Sequence, residues 1–435
     1  MRVLPKARYN IFAGTNTPRE WRQMARAWLS HGSYDAPDVL SDYEQQFAKC
    51  CGVRHGISFG AGRMALYAIL EAMDIGEGDE VIIPAFTCVV VPNAILYRGA
   101  HPVYVDIEPR FFNIDVQKVE AAITSRTKAL FAQHTFGVAC DVDALREIGR
   151  RHELPVIEDG SHALGAVYKG KPAGSLTEVA FFSTDHSKVI NTHLGGMATT
   201  NDDALASRLR KLQADSPFLD KRSTRRVLRS FLLEYCLFSP HILWLGRTMH
   251  AVLGRLGFLF FFLDELKTTK PTTYPYPCRL SSAQAQLGLL QLQDLQRNLA
   301  HRRQIADWLE NKVAWYGLGA DEINDATWLR YSFLVRDRAK FEAAFSKYFD
   351  LGIWFTSVVS GRTRDLQAVE YQPGSCPVAE HVVQHIVNLP THPRIPLEVI
   401  RKEGDCNWDW LNHEIHRSQS ACPTAVESIC PVSLE

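Results

Sequence analysis

Val156-Ile157-Glu158-Asp159-Gly160-Ser161-His162-Ala163-Leu164-Gly165-Ala166, followed after a short polar passage by Val179-Ala180-Phe181-Phe182-Ser183-Thr184-Asp185-His186-Ser187-Lys188 and closing on His193-Leu194-Gly195-Gly196-Met197, is the stretch that decides the fold. Each of the first two segments opens on an apolar run of strand length. The first run ends in an acid, the second in a serine and a lysine. Neighbouring strands of an open parallel sheet would then place a carboxylate and an amine along one strand-end edge, where such sheets bind their ligands.

A lysine amine can form a Schiff base with an aldehyde, and a carboxylate can keep a pyridine nitrogen protonated so that the ring accepts electrons. Pyridoxal phosphate (PLP) chemistry needs that pair. At this point the segment resembles the DegT-type sugar aminotransferases, a branch of the fold-type I PLP enzymes, whose members usually show E-D-A-A-Q-A-H-G-A and then F-S-F-x-x-T-K-N-L-G-x-G-E-G-G. Laid on that pattern without a gap, the resemblance implies that Asp159 is the pyridinium partner, Ser183 a phosphate contact and Lys188 the lysine that carries the cofactor. It runs from about Gly32 to Ile395, with one long insertion.

The fold so implied is α/β, a fold-type I PLP transferase: a mostly parallel central sheet flanked by helices, with a smaller C-terminal α/β domain and a hydrophobic helical insertion. Residues 1–210 form the large PLP-binding domain on this reading and 211–275 the insertion. Residues 276–415 form a long helix and the small domain, and 416–435 a disordered tail. The implied reaction is transfer of an amino group, usually from glutamate, to a keto sugar that is usually nucleotide-linked, for surface polysaccharide or glycoconjugate synthesis. A homodimer is implied as well. Two alternatives stand beside it: a dehydratase- or epimerase-type PLP reaction, and a non-catalytic, membrane-associated member of the same family. Lys188 argues against the sugar-dehydrating branch, which carries His at that position.

Composition agrees with an ordinary globular chain. Of 435 residues, 46% are hydrophobic and 22% charged, and the formal net charge is zero, which gives no reason to expect nucleic acid as a partner. Met1 to Asn10 holds Arg2, Lys6 and Arg8 but no apolar stretch of signal-peptide length, so a cytoplasmic enzyme is expected. The ten cysteines are scattered without metal spacing and read as reduced thiols.

Upstream, Pro18 to Leu29 and Leu40 to Cys50 have helical periodicity. Gly56-Ile57-Ser58-Phe59-Gly60-Ala61-Gly62-Arg63 is a small-residue loop running into an apolar helix, whose free N–H groups and dipole suit a phosphate. Gly62 and Arg63 stand where the family mostly has Gly-Thr, so a guanidinium replaces a hydroxyl. Asp79 to Cys88 resembles D-E-V-I-x-P-x-F-T-[FW], and Cys88 sits where the family stacks an aromatic ring on the cofactor. His162 replaces the usual Gln. Either it covers the exposed ring face or it takes over Gln's hydrogen bond to the cofactor's phenolic oxygen. His134 is expected to orient its loop rather than act as acid or base.

The insertion begins with Lys221-Arg222-Ser223-Thr224-Arg225-Arg226 and continues through apolar runs, none of which reaches the roughly 18 uncharged residues of a spanning helix. Two expectations follow: a helical hairpin packed on the core or at a subunit interface, or a cationic amphipathic face making peripheral membrane contact through 221–263 on the inner leaflet. Arg279 to Gly288 resumes the resemblance, with Pro277 where the family has an Asn that reaches a neighbouring subunit's phosphate. A single helix from Ser281 to Tyr316, a strand from Trp328 to Val335 and a helix from Lys340 to Phe349 are expected next, and His392 is expected to be structural.

Overall fold

The computed structural model describes residues 8–404 apart from 11, 13, 31–34, 263–268, 346–348, 350, 352–353 and 363. The expected tail therefore lies outside the described residues, as does most of the last turn expected for the helix ending at Phe349.

Seven strands form the central sheet: β1 (His55–Phe59), β2 (Glu80–Pro84), β3 (His101–Val105), β4 (Thr127–Gln133), β5 (Val156–Asp159), β6 (Val179–Ser183) and β7 (Gly196–Thr200). Their spatial order is β1-β7-β6-β5-β4-β2-β3. Every pairing from β6 to β3 is parallel, and β7 runs antiparallel to both of its neighbours. Almost every residue of β2, β4, β5 and β7 is buried, as expected of strands covered on both faces. A second sheet pairs β8 (Arg330–Leu334) with β9 (Ile386–Pro390). One hydrophobic cluster joins the two sheets, running from Phe86, Phe112 and Phe136 to Trp328, Tyr331 and Phe333.

Local signals set the helices. In α1 (Pro18–Leu29), Thr17 and Glu20 form a capping box and Pro18 takes the first turn. In α2 (Pro37–Cys50), Pro37 starts the helix one turn earlier than periodicity suggested. The helix α3 (Gly62–Ala72) packs its apolar residues under the sheet. The insertion is a hairpin of α4 (Lys221–Leu237) and α5 (Leu243–Arg255). The helix α4 buries Leu228 and Phe231 against Met24 of α1 and Leu287. The helix α5 leaves Trp244, Leu245, Met249 and Val252 exposed. No helix among the described residues is long and apolar enough to cross a membrane.

The expected single helix is two, α6 (Ser282–Gln293) and α7 (Leu295–Val313). Asp294 breaks it at φ −96°, ψ 2°, and its N–H turns to Gln291 O and Leu292 O. A short polar side chain there yields little helical propensity to resist the kink. Ala314, at φ 51°, ends α7 before Tyr316 is reached.

Gln284, Gln291 and Asn298 recur at intervals of seven and are all buried. Their amides hold the backbone that follows Lys188. Gln284 Nε2 donates to Leu194 O (2.7 Å), Gln291 Oε1 accepts from Asn191 N (2.6 Å), and Asn298 Nδ2 donates to Val189 O (2.7 Å). Arg302, one turn on, donates to Asn298 Oδ1 (2.8 Å). Replacing Asn298→Leu should cost about 2–3 kcal/mol, because Val189 O and the buried guanidinium each lose a partner. Chemical denaturation of the two proteins checks this.

Candidate active site

All seven residues singled out above, Gly62, Arg63, Cys88, Asp159, His162, Ser183 and Lys188, line one cavity of about 300 Å³ at the strand-end edge of the sheet. Asp159 ends β5 and Ser183 ends β6, and the two strands pair in parallel. Lys188 follows β6 on the loop held by the amide row.

The α3 start is built for close approach. Its first residue Gly62 has room only for hydrogen, since a Cβ there would lie 2.8 Å from Ser183 Cβ. Gly196 is equally constrained, with a Cβ 2.3 Å from Ala61 O. Ala61 offers no side-chain cap, and Met64 N and Ala65 N both turn back to Ala61 O at 3.1 Å. Thr87 also lines the cavity, and its hydroxyl is buried without a hydrogen-bond partner among the described residues. Small backbone at a helix start, a hydroxyl and a guanidinium together suit a phosphate ester.

Burial raises the pKa of Asp159, against hydrogen bonds from Ser161, whose N–H donates at 2.9 Å, and against the charges of Lys188 and His134. Burial likewise lowers Lys188. Cys88, Asp185 and Asp159 oppose that shift and Arg330 adds to it. A cationic ring nitrogen beside Asp159 would restore its ionised form, and a depressed amine is a better nucleophile. The donor set therefore fits PLP.

His162 is held neutral: burial, then Lys188 and Arg330, pull its pKa well down. Its Nδ1 accepts from Phe136 N (3.3 Å), which leaves the proton on Nε2. The imidazole lies nearly parallel to Phe136 and to Trp354, 5.9 Å from each ring, at 7° and 23°. His134 is fully buried, with Nε2 3.1 Å from Glu158 Oε1 and Nδ1 accepting from Cys140 N, so it orients its loop. His392 Nε2 lies 2.5 Å from Asn10 O; the residue does not line this cavity but lines a small neighbouring one with Lys188 and Arg330.

Two aromatic cavity neighbours escaped the sequence reading. The Trp354 ring lies 5.2 Å from Lys188 Nζ and 3.8 Å from the Arg330 guanidinium carbon. Phe12 lies 4.6 Å from His186, the two rings tilted by 59°. Their aromatic character was visible, but nothing local to them indicated the cavity. Beside Cys88, Thr87–Cys88 pairs in parallel with Val359–Ser360, so a segment of the small domain forms part of the wall.

The family model described as DegT/DnrJ/EryC1/StrS aminotransferase family matches residues 16–232 and 255–402. Among curated relatives, a GDP-perosamine synthase of Caulobacter vibrioides is 38% identical over 294 residues, 68% of this chain and 66% of that protein. A UDP-2-acetamido-2-deoxy-3-oxo-D-glucuronate aminotransferase of Pseudomonas aeruginosa is 41% identical over 42% of this chain and 52% of its own length. The matches thus span between about half and just under two thirds of these relatives. Among solved structures, S. venezuelae DesV, in complex with a ketimine intermediate, superposes with a TM-score of 0.71 at 25% identity, covering 93% of this chain and 98% of that one. The architecture is the fold-type I arrangement the motif implied.

Acetylation of Lys188 by an amine-selective reagent should show its pH midpoint below the roughly 10.4 of an ordinary lysine. Arg330→Gln should move the midpoint up, by removing a like charge, and Asp159→Asn should move it down, by removing an opposite one. Mass spectrometry of the modified peptide across pH measures both.

Proposed function

Because this chain belongs to the DegT/DnrJ/EryC1/StrS aminotransferase family, we propose that it is a PLP-dependent transaminase that moves an amino group, with glutamate as donor, onto a nucleotide-linked keto sugar. The product would feed surface polysaccharide or glycoconjugate assembly. One observation carries the reading: Asp159 and Lys188 close on a single cavity together with a phosphate-sized cradle.

When bound, the cofactor supplies an electron-accepting ring that lets an amino group leave one carbon and join another. Gly62, Arg63 and Ser183 hold its phosphate. The Asp159 carboxylate keeps a proton at the ring nitrogen, and Ser161 N–H fixes that carboxylate's orientation. The Lys188 amine, depressed by burial, would serve as base and then acid, moving a proton between the substrate carbon and the cofactor carbon that flank the transferred nitrogen. His162, with its proton on Nε2, would offer that donor to the cofactor in the place of the usual Gln. Its faces run parallel to Phe136 and Trp354, which favours this role over ring cover. Cys88 offers no aromatic surface, and Trp354 and Phe355 supply the apolar wall that excludes water.

A surface contact is part of the same proposal. The helix α5 presents Trp244, Leu245, Met249, Val252 and, just beyond it, Leu256 and Phe258 to solvent. Arg229 lies beside that face, 5.0 Å from the Phe258 ring. Exposed aromatic and aliphatic groups beside an arginine suit the interface of an anionic membrane. The homodimer implied by the family pattern belongs to this reading too.

Reconstitution with PLP followed by borohydride should fix one cofactor on Lys188. Lys188→Ala should lose the adduct and at least about a thousandfold in transaminase rate. An adduct at another lysine, or none, sinks the assignment. Activity against a panel of nucleotide-linked 3-keto and 4-keto sugars identifies the acceptor. In flotation with anionic vesicles, Leu245→Asp combined with Val252→Asp should release the protein. Unchanged flotation, or a change only in sedimentation mass, would assign the face to something other than lipid.

A further inference from the structure

We propose that His186, His193 and Glu234 form a divalent transition-metal site of zinc type that ties the insertion hairpin to the loop carrying Lys188. One ligand atom from each lies within 4.8 Å of the other two. Glu234 Oε2 is 3.4 Å from His186 Nδ1 and 3.5 Å from His193 Nδ1. These separations exceed the 2.7–3.2 Å usual for N–H···O bonds. They match the edge, about 3.3 Å, of a tetrahedron whose corners stand about 2.0–2.1 Å from a zinc ion.

Two further observations point the same way. His193 is 2% exposed, and its Nδ1 has no hydrogen-bond partner among the described residues. A polar atom so placed needs something to satisfy it. His193 also sits at φ 68°, in the left-handed region, at the position where the family pattern above reads Gly. An imidazole is held where glycine would be easier, and it points at a carboxylate.

Glu234 is 1% exposed. Its second oxygen lies 3.0 Å from His250 Nε2, which fixes the carboxylate's direction. A cavity of about 190 Å³ reaches His186 and Glu234 and leaves room for a fourth ligand. Arg247 lines that cavity as well, favouring water or an anion there over another cation. Glu234 and His250 both fall in 233–254, the stretch between the two parts of the family match. His186, by contrast, also lines the main cavity. The metal would thus join a segment particular to this chain to the wall of the active site.

The test uses the full chain, stripped with chelator and titrated with zinc by calorimetry. Cobalt is added separately, to read the visible bands of a four-coordinate N/O site. The wild type should take up one equivalent of zinc, show those bands and melt at a higher temperature with the metal. His193→Gly removes a ligand while relieving the backbone, so it should fold at least as well. It should lose the thermal shift and bind zinc at least about a hundredfold more weakly. Glu234→Gln should do the same, and Cys236→Ser, which removes an exposed thiol on α4, should bind like the wild type. The proposal is overturned if the stripped wild type takes up no zinc, if His193→Gly and Glu234→Gln bind as tightly as it does, or if binding vanishes in Cys236→Ser.

Discussion

An amine and a carboxylate withdrawn from water both lose part of their tendency to be charged, and this exchange governs the molecule. In this chain Asp159 and Lys188 are withdrawn together, and each partly restores the other's charge. Neither could be kept there by a loose scaffold. Asp159 is fixed by its place at the end of a strand paired on both sides. Lys188 lies beyond the end of its strand, and its position depends on three amides from α6 and α7 that fasten the following backbone. A purely apolar seam between helix and loop would have left those carbonyl and N–H groups unsatisfied.

The parts of the site that were legible in the sequence are those defined by local chemistry. A strand that ends in an acid, a strand that ends in Ser, a glycine at a helix start and a lysine five residues beyond a strand are all features of short segments. Gly62, Arg63, Cys88, Asp159, His162, Ser183 and Lys188 accordingly converge on one cavity. Trp354 was not legible, because it meets Lys188 across 166 residues of chain through the packing of two sheets. The break at Asp294 was missed for a different reason: apolar and polar periodicity continue through it, and only the backbone angles reveal the kink. For His162 the sequence left two roles open, and the hydrogen bond to its Nδ1 gives a physical basis for preferring one.

The insertion was read as a hairpin packed on the core or at a subunit interface, or as a membrane face, and its two helices differ in burial. The helix α4 sits on α1 and contributes Glu234 to the interior. The helix α5 carries the exposed apolar residues. Charge was a misleading guide in one respect. The basic start of α4 looks like a solvated face, yet Arg226 and Arg229 donate to the carbonyls of Leu259 and Phe258 and so fold the chain after α5 back onto α4.

The short ladder between Thr87–Cys88 and Val359–Ser360 has a mechanical meaning. Thr87 N donates to Val358 O and Val89 N to Ser360 O, stitching the two halves of the chain at the rim of the cavity. A hinged lid would have to unzip that seam each time a molecule entered. The rim on this side is thereby fastened across more than 270 positions of the chain, as a jamb rather than a leaf.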